Sequence, residues 1–129
     1  MISIDLDSPV PLEDQLCKAI RSAIARGEVS AGDPLPSVRQ LAADLGVHWN
    51  TVARAYRRLS DAGLLSVRRG RGVVVKPLPQ AGDTAPSKSK AVSETVRDAI
   101  TEARLSGMSM RAFRDLVLGE INEWERGTS

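Results

Sequence analysis

Leu12, Leu16, Cys17, Ile20, Ala23 and Ile24 recur at three- and four-residue spacing. That period places them on one face of a helix beginning after Ser8-Pro9-Val10-Pro11 and stopping at Gly27. The following run, Ser-Ala-Gly-Asp-Pro-Leu-Pro-Ser up to Ser37, breaks the period with prolines and a glycine and predicts a loop. Ser37 can cap a second helix from Val38 to Leu45, which turns Val38, Leu41, Ala42 and Leu45 inward and ends at Gly46. A third helix starts near His48 to Asn50 and covers roughly Trp49 to Ala62, with Gly63 closing it. Val52, Ala55, Tyr56 and Leu59 form its apolar face, and Arg54, Arg57 and Arg58 lie opposite.

The period then changes. Leu64 to Val67 and Val73 to Lys76 are short, β-rich runs joined by Arg-Arg-Gly-Arg-Gly, which predicts a hairpin with a basic tip. Residues 77–90 are rich in Pro, Ser, Gly and Ala without apolar periodicity, and are expected to be a linker. Beyond them, a second helical unit is predicted over residues 91–127. Val92, Val96, Ala99, Ile100 and Ala103 mark its first helix, and Gly107 breaks it. Ser109 can then cap a helix bearing Phe113, Leu116, Val117, Ile121 and Trp124.

With 129 residues, 42% of them apolar and 26% charged, the composition suits one small globular domain with an appendage. No apolar run approaches the roughly 20 residues of a membrane span, and the N-terminus lacks a signal-peptide pattern, so a cytoplasmic location is expected. Cys17 is the sole cysteine and His48 the sole histidine, so neither a disulfide nor a metal-ligand cluster is expected. No Walker or G-x-S-x-G motif is present, which argues against an enzyme, and no cofactor is expected. The net charge of +2 hides an uneven distribution. From Ser37 to Lys76 eight basic residues face two acids, whereas from Leu78 onward seven bases face eight acids. Such a local positive field is the footprint of a polyanion binder.

A helix, a short glycine turn and a second helix form the helix-turn-helix unit, whose second helix enters the major groove of DNA. The basic hairpin after it makes the arrangement a winged helix. A three-helix bundle with a solvated basic face has the same periodicity. The ordered motifs tilt the balance toward the winged helix: Pro-Ser-x-Arg (residues 36–39), Asn-Thr-Val (50–52), Ala-Gly-Leu (62–64) and the Gly-x-Gly wing (70–72). Together with the preceding helix, they resemble the N-terminal domain of the GntR family of bacterial transcription regulators over about residues 9–76. The implied fold is mainly α with a small β-hairpin wing, a winged helix-turn-helix domain over residues 1–76.

The resemblance implies DNA contacts at Ser37, Arg39, His48, Trp49, Asn50, Thr51, Arg69 and Gly70. Ser37 and Thr51 can bond phosphate, Arg39 phosphate or a guanine edge, and Asn50 phosphate or an adenine edge. Arg68, Arg69 and Arg71 suit the backbone or the minor groove. Most relatives place arginines where Trp49 and Ala53 stand here, and Arg54, rotated by about 100° on the helix, is expected to face phosphate. For His48 and Trp49 two readings remain, helix cap and packing residue on one side, groove contact on the other.

The short C-terminal region resembles the YtrA-like subfamily, which implies a two-helix dimerisation unit in place of a ligand-binding domain. Val96, Ile100, Phe113, Leu116, Val117, Ile121 and Trp124 are its candidate contacts. The expected protein is a homodimeric repressor on a palindromic operator of double-stranded DNA. No membrane partner is expected, and whether a small-molecule effector exists is left open. The competing class, a winged helix used only for protein contacts, differs in having no steep salt dependence of DNA binding.

Overall fold

The computed structural model describes residues 2–68 and 72–128. The chain divides into two compact units, Met1–Leu78 and Pro79–Ser129.

In the first unit, helix α1 (Leu12–Ala25) follows Pro11 and carries Glu13 and Asp14 in its first turn, where carboxylates complement the positive end of the helix dipole. Its buried face is Leu16, Cys17, Ile20, Ala23 and Ile24. Gly27, at φ 75°, closes it as Glu28 N–H reaches back to the Ala23 carbonyl at 3.0 Å. The Gln15 carboxamide holds the preceding arm against α1, accepting from Asp5 N–H at 2.7 Å and donating to the carbonyls of Asp5 and Val10 at 3.0 and 2.8 Å.

Strand β1 (Pro34–Leu35) comes next, inside the segment that composition assigns to a loop. Helices α2 (Val38–Leu45) and α3 (Trp49–Asp61) follow, then strands β2 (Leu65–Arg68) and β3 (Gly72–Val75). The hairpin strands are therefore shifted by one residue from the apolar runs that mark them. The sheet is antiparallel with order β1-β3-β2, Leu35 facing Val73 and Val67 also facing Val73 from the other side. Pro34 has no N–H to donate, which suits its place on an edge strand.

Leu16, Ile20, Val52, Leu59 and Leu65 are the large side chains most completely buried. They join Leu41, Ala42, Ala55, Tyr56, Val73 and Val75 in one core shared by α1, α2, α3 and the sheet. Burying each leucine or isoleucine is worth roughly 1.5–3 kcal/mol, so this cluster dominates the stability of the unit.

In the second unit, α4 (Pro86–Leu105) and α5 (Met110–Thr128) form a helical hairpin. Helix α4 starts within the segment expected to be linker. Pro86 occupies its first turn, where a missing N–H costs nothing and the fixed φ favours a helix, so a residue read as a breaker is a start signal. Gly107, at φ 86°, turns the chain, and Ser109 Oγ accepts the N–H of Ala112 at 3.1 Å to cap α5. Ala103 is the buried residue of α4, while Ile100, Phe113 and Val117 are half-buried. Among the described residues no helix is long and apolar enough to cross a membrane.

Candidate nucleic-acid interface

The first unit brings the starts of α2 and α3 together. Ser37 Oγ accepts the N–H of Gln40 at 3.1 Å, capping α2. His48 does the same for α3 through its ring, Nδ1 accepting the N–H of Asn50 at 3.1 Å. Between them Gly46 sits at φ 69°, a left-handed conformation that lets Val47 N–H reach the Ala42 carbonyl at 3.0 Å and turns the chain sharply. Neither α2 nor α3 has an acid in its first turn.

Tyr56 fixes the mutual placement of these helices. Its ring is buried, 2% exposed, and its hydroxyl donates to the carbonyl of Pro36 at 2.7 Å, next to the Ser37 cap. Burial pushes its phenol up to about 12.

Ser37, Arg39, His48, Trp49 and Arg54 are exposed, and Asn50 and Thr51 are partly so. Trp49 keeps 55% of its surface in water and lies outside the core. Instead of packing inward it stacks on His48, ring centroids 5.7 Å apart and planes 28° from parallel. These two rings, with Val38, Arg39, Ala42, Val47 and Ala53, line a shallow open concavity between α2 and α3. His48 thus caps the helix through Nδ1, as one of its two readings expects, and its ring remains exposed.

The arginines of α3 separate by partner. Arg58 Nη1 donates to Asp14 Oδ1 at 2.6 Å and Glu13 Oε2 at 2.9 Å, tying α3 to the first turn of α1. The hydrogen bonds it donates to Asp14 and then Glu13 push its pKa further upward. Arg39, Arg54 and Arg57 enter no ion pair among the described residues. Arg57 borders a second shallow concavity with Val38, Ala53, Tyr56, Ser60, Val67 and Val73, where the wing begins. The sequence signal for the Arg58 pairing was the acidic start of α1, more than forty positions away. Beneath it, Cys17 donates its thiol to the Ala55 carbonyl at 3.7 Å, and burial pushes that thiol up.

The backbone of Arg68 pairs with Gly72 across the wing. Its side chain, and the expected contacts Arg69, Gly70 and Arg71, lie outside the described residues.

In the second unit, the candidate dimer contacts Val96, Leu116, Ile121 and Trp124 are 49%, 48%, 47% and 39% exposed. Ile100, Phe113 and Val117 are partly withdrawn into the hairpin.

Residues 12–75 match the family described as bacterial regulatory proteins, gntR family. The HTH-type transcriptional repressor YtrA of Bacillus subtilis is 28% identical over 91% of this chain and 89% of its own length. The solved structure of YtrA from Sulfolobus acidocaldarius, described as a GntR-family transcription factor, is 35% identical over 78% of this chain and 97% of that one, with a TM-score of 0.62. The DNA-binding domain of AraR in complex with operator ORX1 aligns at a TM-score of 0.53 and 25% identity, over 57% of this chain and 95% of that domain. Two longer regulators also match, and the chain spans only 17% and 21% of their lengths.

Proposed function

This chain belongs to the GntR family of bacterial regulatory proteins, and from that premise we propose that it is a homodimeric, sequence-specific repressor of transcription. The observation that carries the reading is the pair of exposed helix starts at Ser37 and His48. A helix start presents unpaired N–H groups and the positive end of its dipole, which stabilises either a carboxylate or a phosphate. Helix α1 uses Glu13 and Asp14 for this purpose, whereas α2 and α3 leave the position to an incoming anion. The segment from Ser37 to Lys76 that carries those starts holds eight bases against two acids, a positive excess that suits an anionic partner.

In this reading Ser37 and Thr51 hold phosphate, Arg39 and Arg54 flank the groove, and His48, Trp49 and Asn50 meet base edges. Arg68, Arg69, Gly70 and Arg71 belong to the wing that follows the backbone or minor groove. The α4–α5 hairpin supplies the dimer contact. A pair of helices with Val96, Leu116, Ile121 and Trp124 left in water gains by pairing with a twin. Two-fold symmetry then demands a palindromic operator with half-sites about 34 Å apart or a multiple of it. Support for repression comes from the Bacillus subtilis relative, which is named a repressor. The units are assigned as DNA binding for residues 1–76 and dimerisation for residues 91–127, with the helix between Pro86 and Lys90 continuing the second unit.

Selection of bound duplexes from a random DNA pool tests this. A palindromic motif is expected, bound at least a thousandfold more tightly than random duplex and weakening steeply with salt. Recovery of no motif, with binding no tighter than to random DNA, removes the regulator reading. A monomer in sedimentation that binds its operator as a monomer removes the dimer.

A further inference from the structure

Trp49 is a large aromatic side chain held in water at the first turn of α3, 55% exposed, while the core beneath is filled without it. Its neighbour His48 is fixed twice, by the 3.1 Å bond from Asn50 N–H to Nδ1 and by the stack of the two rings. The side-chain freedom that binding would cost is therefore already reduced.

The chemistry of the pair is narrow. Nδ1 is an acceptor, so the proton of the neutral imidazole is on Nε2, and His48 offers a donor outward. Indole offers a donor and an apolar face but no acceptor, so it has nothing for the amino groups of adenine or cytosine. Ala53, one turn after Trp49, adds a methyl to the same concavity, and Val38, Ala42 and Val47 continue the apolar lining. On the major-groove edges of duplex DNA the apolar group is the C5-methyl of thymine, and it lies beside the O4 acceptor of the same base. We infer that the stacked His48–Trp49 pair reads thymine, Trp49 covering the 5-methyl group and His48 supplying a donor to the adjoining acceptor. Arg39, on the rim of the same concavity, fits the same polyanion.

This assignment rests on the DNA-binding reading, and its test separates the two. In the duplex enriched from a random pool, each thymine is replaced singly by deoxyuridine, which keeps pairing and O4 but removes the methyl. Binding is measured for the full chain, for Trp49→Ala and for Trp49→Phe. One thymine in each half-site is expected to lose about fourfold in affinity on replacement, the worth of one buried methyl. Trp49→Ala should bind the thymine and uracil duplexes equally, and Trp49→Phe should retain most of the difference. His48→Asn, which keeps a capping acceptor, should shrink the preference for that base pair without unfolding the domain. An enriched motif in which no uracil substitution matters, or in which Trp49→Ala keeps the full uracil penalty, overturns the thymine assignment and leaves the regulator standing. A pool that enriches nothing overturns both.

Discussion

Replacing Tyr56 by phenylalanine removes a single oxygen and tests how the two helix starts are held together. The ring is 2% exposed and its hydroxyl donates at 2.7 Å to Pro36, so the substitution loses one partly buried hydrogen bond and leaves the Pro36 carbonyl, itself partly exposed, without that donor. A net hydrogen bond contributes about 0.5–1.5 kcal/mol, and partial access of water to the carbonyl recovers some of the roughly 1–3 kcal/mol that a fully buried orphan would cost. A loss of about 1–2 kcal/mol is expected, each kcal/mol lowering the melting temperature of a domain this size by about 4–8 °C. The same hydroxyl supplies an alkaline signature. Burial raises the folded-state value from 10.0 to about 12, so the unfolded chain gives up this proton first as pH rises. The stabilisation is present in full below pH 10 and is lost between 10 and about 12, with a slope of at most about 1.4 kcal/mol per pH unit. Because Tyr56 is the chain's one tyrosine, its ultraviolet titration reports this group alone. Urea unfolding of wild type and Tyr56→Phe from neutral to alkaline pH should show curves that converge as pH rises. An unchanged midpoint for Tyr56→Phe, or a tyrosine that titrates at its ordinary value in the folded protein, refutes the reasoning.

Gly46→Ala places a Cβ in open space but at φ 69°, so the cost is backbone strain of about 1–2 kcal/mol, measured as a lower urea midpoint with an unchanged slope. Arg58→Ala should lower the unfolding midpoint, by severing α3 from Glu13 and Asp14, while leaving the affinity of the folded protein for DNA near wild type. Arg57→Ala should do the reverse, and equal effects of the two on DNA affinity would show that the ion pair opens on binding. Ile121→Glu places a charge on the exposed face of α5 and should shift the chain toward monomer in sedimentation, with DNA binding weakened and the melting of the first unit unchanged.

The helices and the wing were legible because their signals are local. Ser37, Gly46 and Gly63 mark ends, and the apolar positions between them repeat at the helical period. What escaped is tertiary. Pro34-Leu35 is too short to show alternation and becomes a strand because Val73 and Val74 lie beside it. Pro86 reads as a breaker or a starter depending on the helix after it, and Ser87-Lys88-Ser89-Lys90 gives that helix no apolar stripe. Among the candidate contacts, the exposure of His48 and the helix it caps follow from neighbouring residues. The role of Arg58 does not, since Glu13 and Asp14 reach it only after α1 packs on α3. The position of Trp49 was open for a similar reason: a tryptophan at a helix start packs inward only where the core leaves space, and here the core is filled by other side chains.

Because β3 is paired along both edges, the wing cannot peel away as an isolated hairpin. Freeing Val73 or Val74 breaks a bridge to β1 as well as to β2, and β1 runs within two residues of the Ser37 cap. Opening of the wing and fraying of α2 are therefore expected to be coupled, and amide hydrogens in the two places should report a common opening free energy in hydrogen exchange. A duplex that stiffens the wing would slow exchange at the start of α2 even where no phosphate touches it.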